Sequence, residues 1–154
     1  MEGHSLACVE RYCQLAGVEE SSLTRVATPC VDDQFFEPSE FIAKGRLEDE
    51  ASKIVLKCLY VARLGRPDDL WSVNSLAREV TKWTPTCDKR LLRLTSYLNT
   101  TPNIALHCHV GDNAGDILLI YYADASFADC LRTPRSTSGG FVCLGGANTF
   151  VPLT

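Results

Sequence analysis

The sequence predicts an α+β protein, with N-terminal helices followed by three or four antiparallel strands in a meander. Three observations carry that reading. Apolar residues recur at helical spacing as far as about Leu98, and beyond Thr101-Pro102 the period shortens toward the alternation of a strand. The chain has 154 residues, of which 45% are hydrophobic and 22% charged, the composition of an ordinary globular domain rather than a disordered or fibrous one. Its longest apolar run, Ile117 to Ala123, falls far short of the ~20 residues that a membrane-spanning helix needs.

The elements follow in order. Ser5 is placed to cap a helix through Ala16 that puts Leu6, Val9, Cys13 and Ala16 on one stripe, with Gly17 as its stop. An extended piece, Leu23 to Thr28, closes a first region of residues 1–29. Residues 30–46 read as an irregular linker containing Pro38 and Gly45. A region of residues 47–112 then opens with a helix from Leu47 to Leu64, apolar at Ala51, Ile54, Val55, Cys58, Leu59 and Ala62 and closed by Gly65. Pro67 suits the start of the next helix, because it lacks an N–H that would be unsatisfied there anyway; that helix is expected to reach Lys82. Thr84-Pro85 breaks it, and a third helix runs from Thr86 to Leu98 with Cys87, Leu91, Leu94 and Leu98 inward. Strands are expected at Ile104 to Val110, Ile117 to Ala123, Gly140 to Leu144 and Thr149 to Leu153, the last three in a strand region of residues 113–154. The run from Ile117 to Ala123 has the composition of a buried strand.

Charge is distributed unevenly. Residues 1–50 hold 4 basic and 11 acidic groups, residues 51–110 hold 9 and 4, and residues 111–154 hold 2 and 4. A basic middle between acidic flanks fits either a surface that tracks phosphates or a solvated helix face. Lys82, Lys89, Arg90 and Arg93 are the cations that would make such contacts. No secretory signal is visible at the N-terminus, so cytoplasm or nucleus is the default expectation, with no membrane partner.

Eight cysteines occur without a single C-x-x-C pair, which argues against a zinc knuckle and for reduced thiols used as small core residues. His107 and His109 would share one strand face and, with Asp124, suggest a metal-dependent hydrolase; two solvated histidines are the plainer reading. Asp32-Asp33 lies in an irregular stretch, and Asp68-Asp69 in a first helical turn where acids favour the helix dipole. Asp124 ends the most apolar strand, as a site carboxylate on a rigid support or as a turn residue. Arg135-Ser136-Thr137-Ser138-Gly139-Gly140 offers hydroxyls, backbone donors and a cation, suited to phosphate contact or to an ordinary turn.

Several motifs, in order, resemble the Pol polyprotein of copia-class LTR retrotransposons. Leu59-Tyr60-Val61-Ala62-Arg63, Arg66-Pro67-Asp68 and Val73-Asn74-Ser75-Leu76-Ala77-Arg78 are similar to its reverse transcriptase thumb and connection. Leu91 to Thr100 resembles the helix that follows, which in the family ends in tyrosine-leucine-x-x-threonine. Tyr122-Ala123-Asp124-Ala125-Ser126-Phe127-Ala128 and Arg135-Ser136-Thr137-Ser138-Gly139 resemble the opening strands of its ribonuclease H-like sheet, and Ala27-Thr28-Pro29 also fits the pattern. The resemblance implies a partner in RNA–DNA hybrid or other nucleic acid, and Mg2+ as the parent family's cofactor. It makes Asp124 the first of several catalytic and metal-holding carboxylates.

The chain carries none of the family's later ones, and has Asp129-Cys130 where the family favours glycine-aspartate. Two-metal chemistry clamps both the attacking and the leaving oxygen, which one carboxylate does not do. The expectation is therefore a catalytically incomplete fragment that needs no cofactor alone, with Asp124 vestigial. The alternative is a small structural or interaction protein whose incomplete sheet is covered by a protein partner.

Overall fold

The computed structural model describes residues 3–127 and 136–153 and has the α+β order expected, helices first and strands last. The chain falls into two compact units, Met1–Ala105 and Leu106–Thr154.

The first unit packs α1 (His4–Ala16), α2 (Ala51–Leu64), α3 (Leu70–Ala77) and α4 (Pro85–Thr100) around one core. The expected stripe of α4, Cys87, Leu91, Leu94 and Leu98, is buried throughout, in one core cluster with Val9 and Tyr12 of α1, Ile54, Val55 and Cys58 of α2, and Leu76 of α3. Gly17 ends α1 in the left-handed conformation, φ 64°, as its position suggests. Ser5 is not the cap. Gly3, at φ 78°, takes the N-cap position, and Ser5 lies buried inside the first turn. Cys8, Cys58 and Cys87 are free buried thiols, Cys30 and Cys108 are exposed, and Cys130 lies outside the described residues.

The other helix ends differ from expectation for identifiable reasons. α2 begins at Ala51 rather than Leu47, because Asp88 of α4 captures the preceding backbone. Its carboxylate accepts from the N–H groups of Arg46 (2.6 Å) and Leu47 (3.1 Å) and from Trp83 Nε1 (2.7 Å). Arg46 in turn donates from Nη1 to the Ala16 carbonyl at 2.8 Å, satisfying an oxygen at the end of α1. Gly45 passes so close to α4's approach that an added Cβ would lie 2.6 Å from the Thr84 carbonyl oxygen. The expected helix from Pro67 to Lys82 is a 3-10 turn, Pro67–Asp69, followed by α3 and then tight turns through Lys82. Pro85 opens α4 instead of merely ending what precedes it, holding Thr84 extended at ψ 165°.

The second unit is a four-stranded antiparallel sheet in the order β1-β4-β3-β2, built from His109–Val110, Leu118–Ser126, Thr137–Gly146 and Thr149–Pro152 numbered along the chain. Strands β2, β3 and β4 form the meander, while β1 pairs with β4 rather than with its sequence neighbour β2. The stretch from Ile104 to Val110 contributes only the two residues of β1. The register of β2 on β3 runs unbroken from Leu118 opposite Gly145 to Ser126 opposite Thr137. Glycines of β3 leave room that side chains of β2 fill diagonally: Ile120 lies over Gly145 and Tyr121 over Gly140. A polar clasp closes the other side. Thr149 Oγ1 accepts from the N–H groups of Gly111 (3.2 Å) and Asp112 (3.1 Å), and Asp112 accepts from the Asn148 N–H at 2.7 Å.

The buried-strand reading of Ile117 to Ala123 does not hold. β2 is an edge strand, and Leu118, Leu119, Tyr121 and Tyr122 stand largely in solvent. Among the described residues of this unit, Cys143 is the one buried apolar side chain. No helix among the described residues is long and apolar enough to cross a membrane.

Candidate functional site

The most organised polar cluster of the molecule surrounds Arg66. Its backbone lies between the C-terminus of α2 and the Pro67–Asp69 turn, and its side chain is only 3% exposed. A buried guanidinium is costly unless its donors are matched, and here four of them are engaged. Nε and Nη2 bind Asp68 at 3.0 and 2.9 Å, in the two-pronged geometry that suits guanidinium and carboxylate. Nη1 and Nη2 also donate to the carbonyl and hydroxyl oxygens of Thr101 at 3.0 and 2.8 Å. The guanidinium carbon stands 5.5 Å from the centre of the Tyr97 ring, and the Tyr97 hydroxyl donates to Asp68 Oδ2 at 3.0 Å. Arg66-Pro67-Asp68 and the tyrosine and threonine of Tyr97-Leu98-Asn99-Thr100-Thr101 therefore meet in one network, although about 30 residues separate them in sequence.

The electrostatics follow from burial. Desolvation drives Asp68 up, but the Arg66 guanidinium and the Tyr97 hydroxyl together outweigh it and hold the carboxyl below its usual range. Burial also works against the charge of Arg66, and Asp68 with Asp69 more than restores it. Asp69 is different. It is 1% exposed, its nearer oxygen is 3.7 Å from Arg66 Nη2, and Oδ1 has no partner among the described residues. Burial pushes its pKa up to about 7, with Arg66 pulling it back and Asp68 adding to the rise. Asp68-Asp69 does lie in a first helical turn, as expected, but there Asp68 is bound to Arg66 and Asp69 is buried. The burial of Arg66 is not evident from its motif; the signal for it in the sequence is an arginine, a proline and two acids directly after a helix-closing glycine.

The cations expected to meet phosphate are mostly engaged within the unit. Lys89 pairs with Glu40, and Arg90 with Asp33, which settles one half of Asp32-Asp33; Asp32 accepts from the Gln34 N–H at 3.1 Å. Arg93 donates to the Thr28 carbonyl from Nε at 2.7 Å and to its hydroxyl from Nη2 at 2.8 Å. Lys89 and Arg90 also both lie over the Phe36 ring. Three basic side chains of α4 therefore fasten the 28–41 segment to the helix, with Asp33, Phe36 and Glu40 as its anchors. Lys82 is exposed. Beside this strap a crevice of about 10 Å³, lined by Cys30, Ser72, Trp71 and Arg90, has room for a single water, and Cys30 Sγ lies 2.7 Å from Ser72 Oγ.

In the second unit Asp124 lies within β2, which continues two residues past it, so it does not end its strand. It is exposed, sits opposite Gly139, and accepts from the Ala125 N–H at 2.9 Å. Ser136, Thr137 and Ser138 lead into β3 along the same end of the hairpin, and Arg135 and Asp129 lie outside the described residues. His107 and His109 are exposed. Among the described residues no three His, Cys, Asp or Glu side chains converge where they could hold a metal ion. The one carboxylate of Asp124, turned onto its own backbone, does not fit a pair of magnesium ions. No step through metal is derived from it.

A scan of protein-family models, a search of curated proteins and a search of solved structures each found no match to the chain.

Proposed function

We propose that this chain is a copia-class reverse transcriptase and ribonuclease H segment that holds geometry and makes contacts, and is catalytically incomplete alone. The observation that supports it is the convergence of Arg66 and Asp68 of one family-like motif with Tyr97 of another, and with Thr101 directly after it, in one network. Motif residues that act on substrate would face solvent or a cleft. These face one another, which suits a segment positioning other parts of a polymerase. Contact with RNA–DNA hybrid would fall to Lys82 and to Ser136, Thr137 and Ser138 at the start of β3, whereas Lys89, Arg90 and Arg93 have protein partners. Such contact is weak, indifferent to sequence and steeply salt-dependent.

Anisotropy of a labelled RNA–DNA hybrid, titrated with the chain at low and high salt with Mg2+ present, tests this. The proposal expects weak binding lost at high salt and no cleavage. Magnesium-dependent cleavage that Asp124→Asn abolishes would contradict it.

A second reading, an interaction protein bound stoichiometrically to a protein partner, is favoured by a different observation: β2 carries four large apolar side chains largely in solvent.

A further inference from the structure

We propose that β2 pairs edge to edge with β2 of a second copy of this chain, joining two four-stranded sheets into one of eight strands about a twofold axis. The proposal rests on the second reading above, for which it names the partner, and is independent of any retroelement origin.

The edge itself is the first argument. Residues of an antiparallel strand alternate in which neighbour their N–H and C=O groups address, so every second residue of β2 aims its backbone pair away from β3. Sheets usually blunt such an edge with lysine, proline, a bulge or short length. β2 has nine residues, LLIYYADAS, with neither lysine nor proline, and its register on β3 shows no bulge. The opposite edge, β1, has two residues. Among the described strands, pairing through β2 therefore consumes the one long edge and leaves only short ones outside, which closes the assembly at two copies.

Self-complementarity identifies the occupant. A twofold axis at Tyr122 sets Tyr122 against Tyr122 of the second copy, Tyr121 against Ala123, Ile120 against Asp124, Leu119 against Ala125 and Leu118 against Ser126. Each large side chain other than Tyr122 then faces a smaller one, and every pair shares a face, as cross-strand partners must. Tyr122 already belongs to an aromatic row, its ring 6.1 Å from Phe141, which stacks 6.3 Å from Phe150. The axis continues that row through the second copy. The only charge on the strand, Asp124, stands four residues from the equivalent position across the axis, about 13 Å along the strand and beyond the ~10 Å screening length at 0.1 M salt.

Sedimentation velocity of the intact chain over a hundredfold concentration range tests the proposal, with Tyr122→Lys and Tyr122→Glu variants alone and mixed. The wild-type chain is expected to convert from one to two copies with rising concentration and to stop there. Either variant alone places like charges face to face on the axis and should weaken association at least tenfold, while the equimolar mixture should restore it. A wild-type chain that stays single, growth beyond two copies, a variant that pairs as well as wild type, or a mixture that stays single would each overturn it. A chain that stays single by itself but co-purifies stoichiometrically with another protein would overturn only the choice of partner and leave the second reading standing.

Discussion

The two units of this chain are held together by different physics. In the helical unit, α1, α2, α3 and α4 share a continuous apolar core, sealed at one end by the network of Arg66, Asp68, Tyr97 and Thr101 and strapped along α4 by three cations. The sheet unit has a backbone ladder, a polar clasp at Asp112 and Thr149, and Cys143 as its one buried apolar residue among those described. Burial of apolar area is the dominant favourable term in folding, so one unit is self-sufficient and the other depends on hydrogen bonds whose net worth is small. The difference explains where function is to be sought. The polar groups around Arg66 and along α4 are largely committed to partners within the helical unit, and in the sheet unit β2 carries four large apolar side chains largely in solvent.

Breaking the Arg66 network should have the largest effect on this contrast. Arg66→Ala leaves Asp68 and Tyr97 without their central partner and Asp69 without its one counter-charge; it should cost about 3–5 kcal/mol, read as a shift in the urea midpoint of helical circular dichroism. The second prediction concerns pH. Asp69 titrates near 7 when folded and near 3.8 when unfolded, so the folded state holds more protons between those values. Its contribution is most favourable below about pH 4, is lost as pH rises to about 7, and is flat above that. The loss is on the order of 4 kcal/mol, and Asp69→Asn should flatten it in urea titrations between pH 5 and 8. A smaller effect is expected at Gly45, where a methyl group meets the Thr84 backbone rather than a flexible side chain end; Gly45→Ala should cost about 1–3 kcal/mol by thermal melting. The smallest sharpens the comparison by contrast. Leu119→Ala, on an exposed edge, should change stability by under about 0.5 kcal/mol, whereas Leu91→Ala in the core should cost about 2–5 kcal/mol.

How much of this was legible in the sequence depended on how local the controlling contact is. The stripe Cys87, Leu91, Leu94, Leu98 and the stop at Gly17 were readable because period and backbone preference are local properties. The start of α2 was not, because Asp88, some 40 residues away, decides it by taking the Arg46 and Leu47 amides. The cations of α4 looked like a phosphate-binding stripe because their partners Asp33, Glu40 and Thr28 lie in a stretch with no periodicity to place it. Composition made β2 a buried strand, yet burial is a property of the sheet and its neighbours, and order β1-β4-β3-β2 sets it at an edge. Arg66 and Tyr97 lie in separate stretches of the sequence, and only the fold brings them together.

The most direct test of the contrast is hydrogen exchange resolved by segment, at the lowest practical chain concentration and again at a high one. The account predicts α2 and α4 amides protected to the global unfolding free energy at both, and β2 amides that exchange fast when dilute and slow down when concentrated. β2 protected as strongly as α4 in the dilute chain would contradict it, because the sheet would then have a source of stability that its packing does not supply.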